Sequence, residues 1–270
     1  MDPTRRTDPE YLRRHQYADS RNLDARFQLH NRFSANQYGW HEWVFDHLDL
    51  PAEARILELG CGQGFFWQKN AARLPARWAP VLTDLSPGML ADARRALAAL
   101  PLDHLDAPIR LVNADARHLP WPDDQFDAVM ANHMLYHVPG RPLALAEIRR
   151  VLRPDGRLYA ATNGVGHLAQ LHRLANDVYG ETNPAGAGHW GFSLENGAAQ
   201  LKAHFQQVDL DRYDDHLAVT DPEAVVAFVR SVRDLPPDRE RDLRRRLTRC
   251  FDADGAFTIA KDSGLFIASP

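Results

Sequence analysis

The sequence predicts an α/β fold: a doubly wound, mostly parallel sheet of seven strands with an antiparallel last strand. Short apolar runs alternate with amphipathic helical patterns between residues 55 and 179, which is typical of a parallel sheet covered by helices. The first apolar run ends in a turn with three glycines, at positions 60, 62 and 64. A chain of 270 residues, 44% apolar and 25% charged, suits one such domain with added elements.

Five strands and four helices account for the alternating part of the chain. The spacing of apolar residues and the positions of structure-breaking residues such as Gly and Pro place the strands at residues 55–59, 79–84, 109–113, 126–131 and 157–162. Helical patterns fill the connections at residues 65–74, 87–100, 141–152 and 166–179. Ser86 before Pro87 is the expected N-cap of the second helix. Such alternation places a ligand beyond the carboxyl ends of the strands.

The C-terminal part follows a different pattern. A strand at 205–213 precedes helices near 222–232 and 237–251, and a last strand is expected at 256–268. These two strands would close the sheet in antiparallel fashion. Residues 221–254 would then form a helical cap inserted between them.

Residues 1–50 precede the first strand and are rich in aromatic and histidine side chains. We therefore divide the chain into an N-terminal helical lid segment, 1–50, and an α/β domain, 51–270. Three segments are expected to cover the site and to become ordered with ligand: 19–39, the glycine-rich loop 180–192, and the insertion 221–254.

Charge and composition exclude several classes of protein. The chain has 32 Lys and Arg against 36 Asp and Glu, and a net charge of −4 disfavours a nucleic-acid partner. Its two cysteines, Cys61 and Cys250, match no disulfide framework or zinc pattern, and no metal is expected. Because no apolar run approaches the roughly 20 residues of a membrane span, and the N-terminus lacks a signal segment, we expect a cytoplasmic protein without membrane contact.

The strongest motif is ILELGCGQGF, residues 56–65, an apolar strand that enters a helix through three glycines. Glycines permit a tight turn and let a ligand approach main-chain N–H groups, so a nucleotide-like ligand is expected. The dinucleotide fingerprint needs its third glycine at position 65, where this chain has Phe65. The register is instead Glu-x-Gly-x-Gly-x-Gly.

That register resembles the first motif of class I S-adenosylmethionine-dependent methyltransferases, specifically the small-molecule enzymes with a type 11/25-like methyltransferase domain on a Rossmann-like sheet. The resemblance implies that Glu58 orients the glycine loop and the ammonium group of the cofactor. It also implies that Gly60 and Gly62 line the methionine portion of the cofactor.

Two further carboxylates occupy positions that match the family. Asp84 ends the second strand, and the resemblance implies that it accepts both ribose hydroxyls, with Leu85 and Met89 packed on the adenine face. Asp115 follows the third strand. By the same resemblance its carboxylate takes the exocyclic amine of adenine, while Ala116 supplies an N–H to the ring edge.

Polar side chains also follow the fourth strand, in QFDAVMANHMLYHV, residues 125–138. In the resembled fold this exit faces the sulfonium, so Asn132, His133 and His137 are expected near the methyl group. Histidine suits proton removal because its unperturbed pKa is about 6.5. His133 is therefore the first candidate for a base or a substrate hydrogen-bond partner. His137 is the second, with support of the loop as its other interpretation.

Arg32 and Tyr38 lie in the N-terminal stretch QLHNRFSANQYGWHEW, residues 28–43. In related enzymes such a segment folds over the cofactor. This implies an ion pair between Arg32 and the cofactor carboxylate, and a hydrogen bond from Tyr38. An amphipathic helix that docks its aromatic side chains on the sheet explains the same pattern.

The resemblance implies direct in-line transfer of a methyl group from S-adenosylmethionine to oxygen, nitrogen or carbon of a small molecule, with S-adenosylhomocysteine as product. Specialised or quinone-type metabolism is the expected setting, and a monomer or homodimer the expected state. Two alternatives stay open: a catalytically silent cofactor-binding partner protein, and a nicotinamide-dependent oxidoreductase. The position of Phe65 argues against the oxidoreductase. Asn132 and His133 at the strand exit argue against the silent protein.

Overall fold

The computed structural model describes residues 7–180 and 191–270. Nine strands are present in this part of the chain: β1 Arg55–Leu59, β2 Ala79–Asp84, β3 Arg110–Asn113, β4 Phe126–Asn132, β5 Leu152–Asn163, β6 Gln207–Tyr213, β7 His216–Val219, β8 Phe257–Ala260 and β9 Ser263–Ser269. Seven of them form one sheet in the order β3-β2-β1-β4-β5-β9-β6, and β7 pairs with β8 in a separate ribbon.

Helices cover both faces of the sheet and its carboxyl edge. In the described ranges they are α1 Pro9–Tyr11, α2 Arg21–Phe33, α3 Trp40–Asp46, α4 Phe65–Asn70, α5 Pro87–Ala98, α6 Arg141–Val151, α7 Ala169–Tyr179, α8 Gly197–Leu201, α9 Pro222–Val232 and α10 Pro237–Leu247. A π-helical turn, Leu12–Gln16, continues α1, and short 3-10 turns lie at Ala71–Arg73 and Leu135–His137. Ser86 caps α5, as predicted, by accepting a hydrogen bond from the main-chain N–H of Met89.

The predicted doubly wound sheet is confirmed. β1 pairs in parallel with β2 and β4, and β9 lies antiparallel between β5 and β6. Alternate side chains of β1 enter two separate cores, since Leu57 and Leu59 pack in one and Ile56 in the other. Both faces of the strand are therefore buried, which explains its continuous apolar sequence.

The expected strand at 256–268 is wrong as a single element. The structure divides it at Lys261 and Asp262 into β8, which pairs with β7, and β9, which joins the main sheet. Two adjacent charged residues cannot continue the buried alternation of a central strand. The segment inserted between β6 and β9 is thus residues 214–262. It includes a two-stranded ribbon and is longer than the helical cap predicted at 221–254.

The N-terminal helices pack on this insertion as well as on the main domain. Leu29 and Phe33 of α2 share a buried cluster with Val225 and Val229 of α9, while α3 contacts α4. Within the described ranges, the helices are too short or too polar to cross a bilayer. Most of the predicted covering loop 180–192 lies outside the described residues, which exclude 181–190.

Candidate active site

A cavity of about 710 Å³ lies at the carboxyl ends of the parallel strands, below α2 and α9. The structure brings most of the predicted site residues together there. Its lining includes Glu58, Gly60, Gly62, Asp84, Leu85, Met89, Asp115, Ala116, Asn132, His133 and His137. Volumes of 300–1,000 Å³ are usual for small-molecule sites.

The three glycines after β1 hold backbone conformations that disfavour other residues. Gly60, Gly62 and Gly64 have φ values of +64°, +56° and +77°. A Cβ added at Gly60 would lie 2.8 Å from the Cβ of Met134, so the turn has no room for a side chain. Main-chain groups of the turn therefore stay accessible to a ligand in the cavity.

Glu58 is buried beneath this turn and holds two neighbouring side chains. Its carboxylate accepts hydrogen bonds from Trp67 Nε1 at 2.6 Å and from Asn132 Nδ2 at 3.2 Å. Burial raises the pKa of Glu58 to about 7, against the lowering effect of these hydrogen bonds. The Oδ1 atom of Asn132 is buried, and no described group donates a hydrogen bond to it. An ammonium group in the cavity fits both features.

Asp84 ties the glycine turn to the end of β2. Its carboxylate accepts hydrogen bonds from the main-chain N–H of Gly62 at 2.9 Å and of Ser86 at 2.8 Å. Burial raises its pKa above the ordinary value. A carboxylate has about four acceptor positions, so these two bonds leave capacity for the hydroxyls of a ribose.

The Asp115 carboxylate already has a protein partner, which was not predicted from the sequence. Arg117 forms an ion pair with its carboxylate at 2.6 Å, and hydrogen bonds to Arg117 hold the pKa of Asp115 below its ordinary value. Asp115 nevertheless lines the cavity together with Ala116. Its predicted contact with the adenine amine therefore has to share the carboxylate with Arg117.

His133 follows β4 in a left-handed conformation, with φ +53°, and its main-chain N–H donates to Ala161 at 3.0 Å. Its ring lies 5.2 Å from that of Trp40. Burial, together with the positive charge of Lys261, lowers the pKa of His133 to about 4, so the imidazole is neutral at neutral pH. His137 contacts the N-terminal segment instead, through a hydrogen bond of 2.9 Å between its Nε2 and the Tyr17 hydroxyl.

The two N-terminal predictions find no contact that supports them. Arg32 reaches the cavity wall, but its guanidinium pairs with Asp221 at 3.0 Å. Tyr38 is 46% exposed and lies outside the cavity lining. Both stay predictions of the sequence resemblance alone.

Cavity residues that were not predicted from the sequence include Tyr17, His30, His167 and Lys261. They come from four separate segments, and no spacing pattern joins them. One signal was available, because Lys261 and Asp262 interrupt the apolar run at 256–268. A buried charge in such a place indicates a partner or a function.

A sheet of this order, with a glycine turn after β1, a carboxylate at the end of β2 and an antiparallel strand between β5 and β6, is the arrangement found in class I S-adenosylmethionine-dependent methyltransferases. Enzymes of this class use S-adenosylmethionine as their methyl donor. Residues 57–160 match the family described as "Methyltransferase domain".

Curated relatives also resemble part of the chain. A biotin biosynthesis bifunctional protein BioCD from Bordetella avium is 32% identical over 169 residues, which is 58% of this chain and 33% of that protein. A demethylmenaquinone methyltransferase from Symbiobacterium thermophilum is 35% identical over 137 residues, 50% of this chain and 52% of that enzyme. The chain thus spans between a third and about half of the length of these relatives.

Solved structures extend the likeness to the fold. The YcgJ protein from Bacillus subtilis superimposes with a TM-score of 0.58 at 18% identity, covering 84% of this chain and 96% of that one. At this identity the comparison concerns the fold alone.

Proposed function

We propose that this chain transfers the methyl group of S-adenosylmethionine to a small molecule. The arrangement of Glu58, Asn132 and Asp84 around the glycine turn carries this proposal. An unpartnered amide oxygen next to a buried carboxyl suits the cofactor's ammonium group. The Asp84 carboxylate at the end of β2 suits the ribose.

The donor supplies a cationic sulfonium, so the methyl group moves to an acceptor's lone pair while the sulfur keeps the electrons of the broken bond. The chain's part is to orient the two reactants and exclude water. Glu58 and Asp84 hold the donor side, and α2 and α9 close the cavity above it. The neutral imidazole of His133 can accept a proton from an acceptor that must lose one.

The setting in quinone-type or specialised metabolism is also a proposal. Relatives named as demethylmenaquinone and malonyl-acyl-carrier-protein methyltransferases, and one named for biotin biosynthesis, support small-molecule methylation in general, without selecting one acceptor. A silent cofactor-binding protein is the second candidate. It would bind S-adenosylmethionine and leave every tested acceptor unmethylated.

Calorimetric binding of S-adenosylhomocysteine tests the cofactor assignment. Asp84→Ala should weaken binding by about 1.5 to 3 kcal/mol, because charge-assisted hydrogen bonds to the ribose and the anchor of the Gly62 N–H are lost. Asp155→Ala, at an exposed aspartate between the paired residues Leu152 and Arg157 of β5, is the matched control and should bind normally. Tight binding of NADH without binding of S-adenosylhomocysteine would contradict the proposal.

His133→Asn tests the proposed base. Asparagine tolerates the left-handed backbone at this position better than most residues, so the substitution removes the imidazole while keeping the loop. Turnover should fall by about a hundredfold with cofactor affinity retained, and the loss should shrink at high pH, where the acceptor ionises unaided. His216→Asn, at an exposed histidine, should leave turnover unchanged. Equal turnover of the wild type and His133→Asn at neutral pH removes His133 from the mechanism.

A further inference from the structure

The cavity is chemically divided along the edge of the sheet. Glu58 lies near the end of β1, Asp84 ends β2, and Asp115 follows β3. The other half of the edge, at β4, β5 and β9, carries His133, His167 and Lys261 instead. Because the strand order is β3-β2-β1-β4-β5-β9, the acidic and basic groups occupy opposite ends.

The basic end forms a compact group, here called the imidazole cluster: His30, His133, His167 and Lys261. The rings of His30 and His167 stack with centroids 5.8 Å apart. The charge of Lys261 contributes to a lowered pKa of all three histidines, in each case after burial, and His30 and His133 add to the effect on His167. Four elements that are distant in sequence thus meet at one point.

Lys261 presents a positive charge to this end of the cavity. Its ammonium group pairs with Asp215, and the two side chains are 7% and 0% exposed. Asp215 also accepts hydrogen bonds from the Ser34 hydroxyl and from the Asn36 main chain at 3.0 Å. Lys261 lines the cavity and Asp215 lies behind it, so the pair directs its positive end inward.

His30 supplies an independent sign of a ligand. Its Nδ1 atom is buried, and no described group forms a hydrogen bond with it. An unpaired buried polar atom destabilises the folded state, and a bound group that pairs with it would remove this cost. A metal does not suit the place, because the described residues form no group of three His, Cys, Asp or Glu side chains able to hold one.

Apolar side chains also line this end. Phe228 and Val232 of α9 line the cavity, together with Leu12 and Leu168. The carboxylate of Glu42, which also lines the cavity, folds back over Gly39. The subsite therefore combines an apolar wall with imidazole N–H groups and one ammonium.

We propose that the imidazole cluster binds the methyl acceptor, and that this acceptor is an oxygen acid with an apolar body, such as a phenol or an enol, held with its ionised oxygen towards His30 and Lys261. This rests on the proposed function. An oxyanion accepts hydrogen bonds from imidazole and ammonium donors, and the charge of Lys261 favours the ionised form. A protonated amine would meet the like charge of Lys261, and a hydrocarbon would leave His30 Nδ1 unpaired.

Three probes of one shape test the proposal by equilibrium binding in the presence of S-adenosylhomocysteine: 4-nitrophenol, its methyl ether 4-nitroanisole, and 4-nitroaniline. We expect 4-nitrophenol to bind about tenfold more tightly than the other two, the effect of one charge-assisted hydrogen bond. The ionised phenol absorbs at longer wavelength than the neutral one. Its absorption should therefore reveal ionisation of the bound probe at a pH where the free probe is protonated.

His30→Phe should abolish this preference while S-adenosylhomocysteine still binds. Lys261→Met combined with Asp215→Asn removes the charge without leaving a buried carboxylate unpaired, and should return the pKa of the bound probe towards its solution value. Lys69→Met, at an exposed lysine of the cavity rim, is the matched control and should keep the preference. Equal binding of the three probes, no binding of 4-nitrophenol, or a preference retained in both cluster variants overturns the proposal. Failure of S-adenosylhomocysteine to bind the wild type would instead contradict the proposed function.

Discussion

Glu58 joins the glycine turn to the end of β4, and its protonation should govern both stability and cofactor affinity. With a pKa of about 7, compared with 4.5 ordinarily, the folded protein holds a proton here that the unfolded chain has already lost. Above pH 4.5 this difference lowers the free energy of unfolding as pH rises, until Glu58 is ionised in the folded state as well.

Glu58→Gln isolates that effect, because glutamine retains an acceptor for Trp67 and cannot ionise. Between pH 5 and 7.5 the wild type should lose up to about 3 kcal/mol of unfolding free energy relative to the variant. Urea unfolding at several pH values measures this difference. Binding of a cationic ammonium should also favour the ionised carboxylate, so wild-type affinity for S-adenosylhomocysteine should rise up to about pH 7. Parallel stability curves for the two proteins would refute the raised pKa of Glu58.

Single residues also show where sequence patterns overstate a role. His137 follows the strand exit as predicted, yet its ring nitrogen contacts Tyr17 of the N-terminal segment at 2.9 Å. That contact supports the structural interpretation of His137, in which it holds the covering segment to the loop after β4. His133, with a neutral imidazole inside the cavity, remains the stronger candidate for proton transfer.

Among the elements, α2 contributes His30 to the cavity and also packs Leu29 and Phe33 on the insertion. Leu29, 1% exposed, lies in the cluster shared with α9. The helix therefore depends on tertiary packing with an element some 200 residues away in sequence, as surface helices of this length usually do.

Leu29→Ala should lower the free energy of unfolding by about 2 to 4 kcal/mol, because the substitution leaves a cavity between α2 and α9. Leu143→Ala is the matched control: Leu143 is 58% exposed, and its loss should change stability by less than about 0.5 kcal/mol. Denaturant unfolding measures both. Equal destabilisation by the two substitutions would show that the packing of α2 on α9 does not support the fold.

The covering role of α2 and α9 is itself a proposal, and the structure indicates how it would work. Hydrogen bonds connect Ser34 and Asn36, after α2, to Asp215 at the start of the insertion. The N-terminal segment and the insertion thus form one joined cover over the carboxyl edge of the sheet. From the sequence alone, they were predicted as separate covering segments.

Across the whole molecule, buried neutral histidines should determine how the free energy of unfolding changes as the pH falls. His30, His41 and His133 have pKa values lowered to about 3, 3 and 4, and that of His167 lies well below its ordinary value, with burial as the main cause. Each binds a proton on unfolding once the pH falls below about 6.5. The free energy of unfolding should therefore fall with pH from 6.5 towards 4 by about 1.4 kcal/mol per unit for each histidine, partly offset by Glu58.

Urea midpoints between pH 7 and 4.5 measure this slope. His30→Phe should reduce the pH dependence of the free energy of unfolding by the contribution of one bound proton, because phenylalanine cannot be protonated. His216→Asn, at an exposed position, should leave the slope unchanged. A wild-type midpoint independent of pH in this range would show that the cluster is already protonated or open to water in the folded protein.

The sequence by itself predicted the parallel sheet, the bounds of its first two strands and the residues proposed to hold the donor. Strands 55–59 and 79–84 were predicted at their observed bounds because apolar period and turn glycines are local signals, encoded within a few neighbouring residues. Glu58, Gly60, Gly62 and Asp84 belong to those same strand ends. Their proximity follows from the rule that parallel strands meet at one carboxyl edge.

Only the tertiary structure decided the other end of the cavity. His30, His167 and Lys261 come from α2, the connection after β5 and the break between β8 and β9, and no sequence interval relates them. The same holds for the split of the predicted last strand, since pairing of β8 with β7 depends on a segment 40 positions earlier. Contacts between distant segments are selected by packing and by the burial of charge, and these are properties of the folded chain as a whole.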